Sequence, residues 1–271
     1  MSKSKKSMSN RHESLQTLCH DTVPELEILQ CAECQLNYWR YPDSQLRHWC
    51  FYWNSTPGAV ISSGGRRFEL TPEQAVLIPP YTNFSTDMYA PFRHFYIHFS
   101  GNGILETVRP GIITLPGEFA GQAVADILQR KPFRTSVAIY ALLYQAVLHI
   151  PADFFDGTEG FAVDQRVRRI IDMMYENPGD FPENRQLCRM IGMNINEFYD
   201  IFRKATGLSP RQYLIMLRME QASQFLRHGK LSIDEIAGKC GFADRYHFSK
   251  SFRKYFGLPP AEFRMRHNNQ A

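Results

Sequence analysis

Two stretches fifty residues apart decide the fold: FRKATGLSPRQY at residues 202–213 and FRKYFGLPPAEF at residues 252–263. They share Phe, Arg, Lys, Gly, Leu, Pro and a closing aromatic in register, and upstream Phe198 matches Phe248 at the same offset. Further back, LCRMIGM (187–193) parallels IAGKCGF (236–242), with a small residue, Cys188 or Ala237, followed four positions later by Gly192 or Gly241. A chain that repeats a helical pattern, a glycine turn and a second helical pattern carries two helix-turn-helix units. The small residue lets the two helices of a unit cross closely, and the glycine supplies a backbone angle that a side chain would strain.

The flanking residues fit that reading. Ser232 and Glu235 form a capping box for the first helix of the second unit, while Asn194 and Asp244 are suited to cap the second helix of each unit. Phe198 with Phe202, and Phe248 with Phe252, lie four apart and turn one aromatic face to the core, leaving the opposite face free to read a groove. Between the units, Ser209 and Pro210 open a helix that runs to about Arg227 before Gly229. Its length of roughly 25 to 30 Å approaches the ~34 Å between successive major-groove faces of one side of a duplex. Residues 164–271 hold 18 Lys and Arg against 12 Asp and Glu, a surplus of six positive charges, whereas residues 1–163 hold 13 against 15. This asymmetry points the C-terminal part at a polyanion.

The N-terminal part reads differently. ELEILQCAEC, RHWCFYW, GAVISS, RRFEL, AVLIPP and FRHFYIHF are short apolar or alternating runs, separated by turn signals YPDS, NSTPG, SSGG and LTPEQ. They predict a compact β-sandwich or barrel. Residues 117–150 change to a helical period and predict two helices beside it, the second carrying Leu143, Tyr144, Val147 and Leu148 as a seam for homodimerisation. The domains are therefore an arm (1–20), a β domain (21–150), a linker (151–163, containing PADFFDGTE) and an all-α domain (164–271), an α+β chain overall. The basic start MSKSKKSMSN is followed by no apolar run of signal-peptide or membrane-span length, so a cytoplasmic, nucleoid-associated protein with no membrane partner is expected, its six cysteines reduced.

GLSPRQYLIMLRMEQASQFL and SIDEIAGKCGFADRYHFSKSFRKYFGLPPAEFR resemble the AraC/XylS family of bacterial transcription regulators over roughly residues 165–266. YWNSTPG, LTPEQAVLIPP and HFYIHF resemble, more weakly, the cupin-like sensor barrel of that family. The resemblance implies a regulator that binds promoter DNA and responds to a small effector, a sugar by family habit, with RNA polymerase as a further partner. It implies base-reading by Ile195, Asn196, Tyr199, Asp200 and Arg203 in the first unit and by Arg245, Tyr246, His247, Ser249 and Lys250 in the second. Lys204, Arg211, Arg253 and Lys254 are placed for phosphates, which position the protein and make binding salt-dependent. The first unit departs from the family: Asn184 stands at a usually apolar position, Cys188 replaces Ala, and Glu197 and Asp200 put acids on a helix meant for DNA.

In the barrel, PFRHFYIHF alternates Arg93, Phe95, Ile97 and Phe99 with His94, Tyr96 and His98. By resemblance His94 and Tyr96 contact the effector. His98 joins them on that face, and Trp39, Trp49 and Trp53 are the expected pocket walls. Carbohydrate recognition through aromatic faces and imidazole hydrogen bonds suits this set. The contrasting readings are a regulator without a small effector, whose β domain serves dimerisation or protein contacts, and a cupin metal enzyme fused to the DNA-binding module, against which His94 and His98 find no further His and Glu cluster in NSTPGAVISSGG. No metal, no cofactor and no catalytic residue are expected. The Cys31-x-x-Cys34 pair lies on a strand, pointing to opposite faces, and has no second pair.

Overall fold

The structure, a computed structural model, describes residues 23–129, 132–155 and 164–268. The expected arm (1–20) and the second part of the expected linker (156–163) lie outside the described residues. Nine strands come first: β1 (Leu26–Leu36), β2 (Tyr41–Ser44), β3 (Trp49–Asn54), β4 (Ala59–Ser63), β5 (Arg66–Leu70), β6 (Gln74–Ile78), β7 (Phe84–Met88), β8 (Phe92–Gly101) and β9 (Ile113–Pro116). They pair antiparallel into a five-stranded sheet, β1-β8-β3-β6-β9, facing a four-stranded sheet, β2-β7-β4-β5. YPDS, expected as a turn, is instead the short edge strand β2. Its residues hydrogen-bond to β7, because an edge position tolerates the proline that a central strand would not.

Helices α1 (Gly117–Gln129) and α2 (Pro132–Leu148) cover the outer face of the five-stranded sheet. Period-two alternation divides the strand residues between two cores. Trp49, Phe51 and Trp53 of β3 and Phe95, Ile97 and Phe99 of β8 go outward under the helices. Cys50 and Tyr52 go inward with Trp39, Phe84 and Phe92. Trp49 and Trp53 are therefore not walls of the barrel interior: they pack on its outer face, where Trp53 Nε1 donates to the Pro72 carbonyl at 3.1 Å. Trp39 packs in the inward core instead, 8% exposed.

The expected dimer seam is corrected in the same way. Leu143 is fully buried against the sheet, and the Tyr144 hydroxyl donates to the Pro24 carbonyl at 3.1 Å. Leu148, 83% exposed, is the seam residue that faces fully outward. The start of the expected linker also packs on the barrel. The amide of Arg109 donates to the Phe154 carbonyl at 3.0 Å, and the Arg109 guanidinium lies 4.2 Å from the centre of the Phe154 ring.

The C-terminal part is all-helical: α3 (Gln165–Glu176), α4 (Asn184–Ile191), α5 (Ile195–Thr206), α6 (Pro210–His228), α7 (Ile233–Lys239), α8 (Arg245–Phe256) and α9 (Pro260–Asn268). Asn194 and Asp244 accept from the amides of Glu197 and His247, and Ser209 and Ser232 form capping boxes with Gln212 and Glu235. The internal repeat is physical as well as textual, since residues 201–210 and 251–260 have the same sequence of buried and exposed positions. Among the described residues, Cys31, Cys34, Cys50, Cys188 and Cys240 are free thiols.

Candidate nucleic-acid interface and barrel interior

In each unit the helix after the turn presents its polar face outward. On α5, Ile195, Asn196, Tyr199, Asp200 and Arg203 are all exposed. On α8, Arg245, Tyr246, His247 and Lys250 are exposed and Ser249 is half-buried. Lys204, Arg211, Arg253 and Lys254 are exposed as well. Their opposite faces supply the buried Phe198, Phe202, Phe248, Phe252 and Phe256. The departures in the first unit have local consequences: Asn184 donates to the Tyr199 hydroxyl at 2.6 Å, tying one reading residue to the preceding helix. In the second, Arg245 meets Asp234 at 3.4 Å with both side chains well exposed, a pairing that water screens and a guanine edge can replace.

The two units are locked together by a residue that sequence reading left out. Arg218, on the spacer helix α6, donates to the carbonyls of Pro178 at 2.7 Å, Gly241 at 3.0 Å and Gly179 at 3.4 Å. It joins the loop before the first unit to the turn of the second. Gly179 is required there, because a Cβ would sit 2.3 Å from the Lys239 carbonyl oxygen. The sequence signal is an arginine in the middle of the spacer helix, indistinguishable from a phosphate contact without its partners.

The barrel grips both reading helices at their C-terminal ends. Gln45 Nε2 and Asn83 Nδ2 donate to the Thr206 carbonyl at 2.9 and 2.7 Å. The Tyr38 hydroxyl donates to the Phe256 carbonyl at 2.6 Å. Thr206 and Phe256 are equivalent positions of the repeat, so the β domain satisfies the same orphan carbonyl of each helix. Tyr255 donates to the Asp43 carbonyl and Arg227 to the Tyr41 hydroxyl, completing a seam along residues 38–47. The reading residues other than Arg203 stand in the N-terminal halves of the two helices, and all of them but the half-buried Ser249 are exposed.

Inside the barrel, His94, Tyr96 and His98 face inward as the alternation predicted, but His94 is spoken for. It is 3% exposed, its Nδ1 lies 2.8 Å from Asn54 Oδ1, and Trp39, Tyr52 and Phe92 surround its ring. Tyr96 is half-buried and its hydroxyl accepts from Gln30 at 2.8 Å. His98 stands beside His48, ring centres 4.7 Å apart, with its Nε2 3.3 Å from the Tyr52 hydroxyl. Burial, aided for His48 and His94 by the neighbouring His98, pushes their pKa values down to about 3, and burial pushes His98 to about 4, so all three rings are neutral near neutral pH. Glu220, on the spacer helix, is pushed up to about 8 by burial, opposed by Arg227.

A helix-turn-helix domain family matches residues 187–266, the span that holds both units. The C-terminal part is an AraC-type helix-turn-helix domain. Curated relatives extend the likeness: the chain is 32% identical over 175 residues to the Msm operon regulatory protein of Streptococcus mutans serotype c, covering 64% of this chain and 59% of that protein. It is 24% identical over 221 residues to the lactose operon transcription activator of Staphylococcus xylosus, covering 76% and 79%. The match thus spans less than two thirds of the Msm regulator. Around this AraC-type domain the whole architecture recurs in the crystal structure of ToxT from Vibrio cholerae O395, with a TM-score of 0.62 at 12% identity over 88% of this chain and 97% of that one. That likeness establishes a shared two-part α+β fold. Among the described residues no helix is long and apolar enough to cross a membrane.

Proposed function

We propose that this protein is a sequence-specific DNA-binding transcription regulator that docks α5 and α8 in adjacent major grooves and answers to a small effector through its barrel. The carrying observation is the paired presentation of two capped reading helices, held by Arg218 within the domain and by the barrel at equivalent carbonyls. The spacer α6, 19 residues and about 28 Å long, suits reading heads one duplex turn apart on one face. Base contacts fall to Asn196, Tyr199, Asp200 and Arg203 with Ile195 beside them, and to Arg245, Tyr246, His247, Ser249 and Lys250. Phosphate contacts fall to Lys204, Arg211, Arg253 and Lys254.

Because residues 38–47 hold both helices, a ligand that shifts the barrel changes the geometry or freedom of both readers together. A sugar is the favoured effector, supported by the lactose operon activator among the relatives and by Tyr96 and His98 facing the interior. Dimerisation uses α2 at the outward Leu148, with the half-buried Tyr144 and Val147 beside it. The protein acts in the cytoplasm, with promoter DNA and RNA polymerase as partners, and has no catalytic role. One experiment tests the reading: binding of a selected duplex against random duplex, with and without a panel of mono- and disaccharides. The expected ratio is at least about 10³, shifted by one class of sugar and unshifted in Tyr96→Ala. Equal affinity for both duplexes rejects the regulator, and a ratio indifferent to every sugar rejects the carbohydrate effector.

A further inference from the structure

We infer that His48, Cys50 and His98 form a binding site for one metal ion of the zinc class inside the barrel. The topology brings the three donors together. Cys50 lies directly across from His98 in the β3–β8 ladder, and His48, two residues before Cys50, shares its inward face. One donor atom from each residue falls within 4.8 Å of the other two. Three ligands around a single tetrahedral zinc lie roughly 3.5 Å apart, as bonds of about 2.0 to 2.3 Å dictate, so small side-chain rotations close the set.

The surroundings favour a ligand there over ordinary core packing. His48 Nε2 is buried with no hydrogen-bond partner, an orphaned nitrogen that coordination would satisfy. Tyr52 stands beside the donors: its hydroxyl is 3.3 Å from His98 Nε2, and its ring centre lies 5.9 Å from that of His98. Such an outer partner fixes the orientation of metal ligands. Two imidazoles and one thiolate suit zinc and exclude calcium and magnesium, which take oxygen ligands. Binding forms a sulfur–metal bond and releases the Cys50 thiol proton to solvent.

Three protein ligands leave a fourth position open. The site uses His48 and Cys50, to which the regulator reading assigns no role, and takes His98 for the metal, leaving Tyr96 as the barrel's effector contact.

The test loads full-length protein with Zn²⁺, removes the excess by gel filtration and counts the metal. It then repeats the loading with Co²⁺, whose thiolate-to-metal charge-transfer band reports a cysteine ligand. The expected result is one ion per chain and a charge-transfer band, with the band lost in Cys50→Ser and kept in Cys188→Ser. His48→Gln lowers affinity by at least about tenfold. Circular dichroism and DNA affinity of the same samples establish that the variants fold and keep this test separate from that of the regulator reading. Absence of the band in the unsubstituted protein, or its survival in Cys50→Ser, overturns the inference regardless of how the variants behave.

Discussion

Lowering the pH from about 6.5 to about 5 decreases the unfolding free energy by about 3 kcal/mol. His48 and His94 are held down to about 3 and His98 to about 4, from an ordinary 6.5, chiefly by burial. An unfolded chain protonates these rings below pH 6.5 while the folded chain keeps them neutral. Their contribution to stability is thus complete above 6.5 and is lost as the pH falls toward the folded values. Because the unfolded rings are already half protonated at pH 6.5, each costs about 1.6 kcal/mol over this interval, about 5 in all. Glu220 works in the opposite sense. Its folded pKa of about 8 exceeds the ordinary 4.5, so its contribution is present below 4.5 and drains as pH rises through 8. Acidification therefore returns about 2 kcal/mol of the loss. Urea unfolding at the two pH values checks the sign and size, and Glu220→Gln, by removing the returning contribution, steepens the fall to about 5 kcal/mol. Stability that is flat or rises on acidification means that the three imidazoles are not neutral and buried together.

Replacing Arg245 with Ala weakens binding to the selected operator by about 10- to 100-fold and relaxes preference at one base pair, while Asn196→Ala costs less. The ranking follows from charge. The exposed face of α8 carries Arg245, His247 and Lys250 and no acid, whereas α5 places Glu197 and Asp200 beside its readers. An acid can accept from cytosine N4 but repels the phosphates on either side, so the first unit adds selectivity and the second supplies most of the affinity. Titration of both variants against the same operator at fixed salt decides it, and a larger loss in Asn196→Ala reverses the assignment.

The repeat made the DNA-binding half legible because each unit is local: its caps, turn and aromatic pairs lie within about twenty residues, and Asn194, Ser232 and Asp244 cap the helices that the spacing predicts. The barrel was less legible because its meaning lies in pairings between distant strands. From sequence Trp49 and Trp53 read as pocket walls because a one-residue change of phase moves a side chain to the other face, and only the register with β8 fixes that phase. The same register places Cys50 opposite His98, and no spacing in the chain announces that neighbour. Leu143 looked like a seam residue because a helix that covers a sheet and a helix that meets a partner have the same apolar period. Arg218 and Glu220 were illegible for a further reason: both face elements that arrive only when the two halves of the chain, and the two units, come together.

Hydroxyl-radical footprinting of the full-length protein on its selected operator tests most directly whether one chain reads two grooves. The account predicts two protected patches for each bound chain, on one face of the duplex and about 10 to 10.5 base pairs apart. A single patch per chain, or two patches on opposite faces, contradicts it.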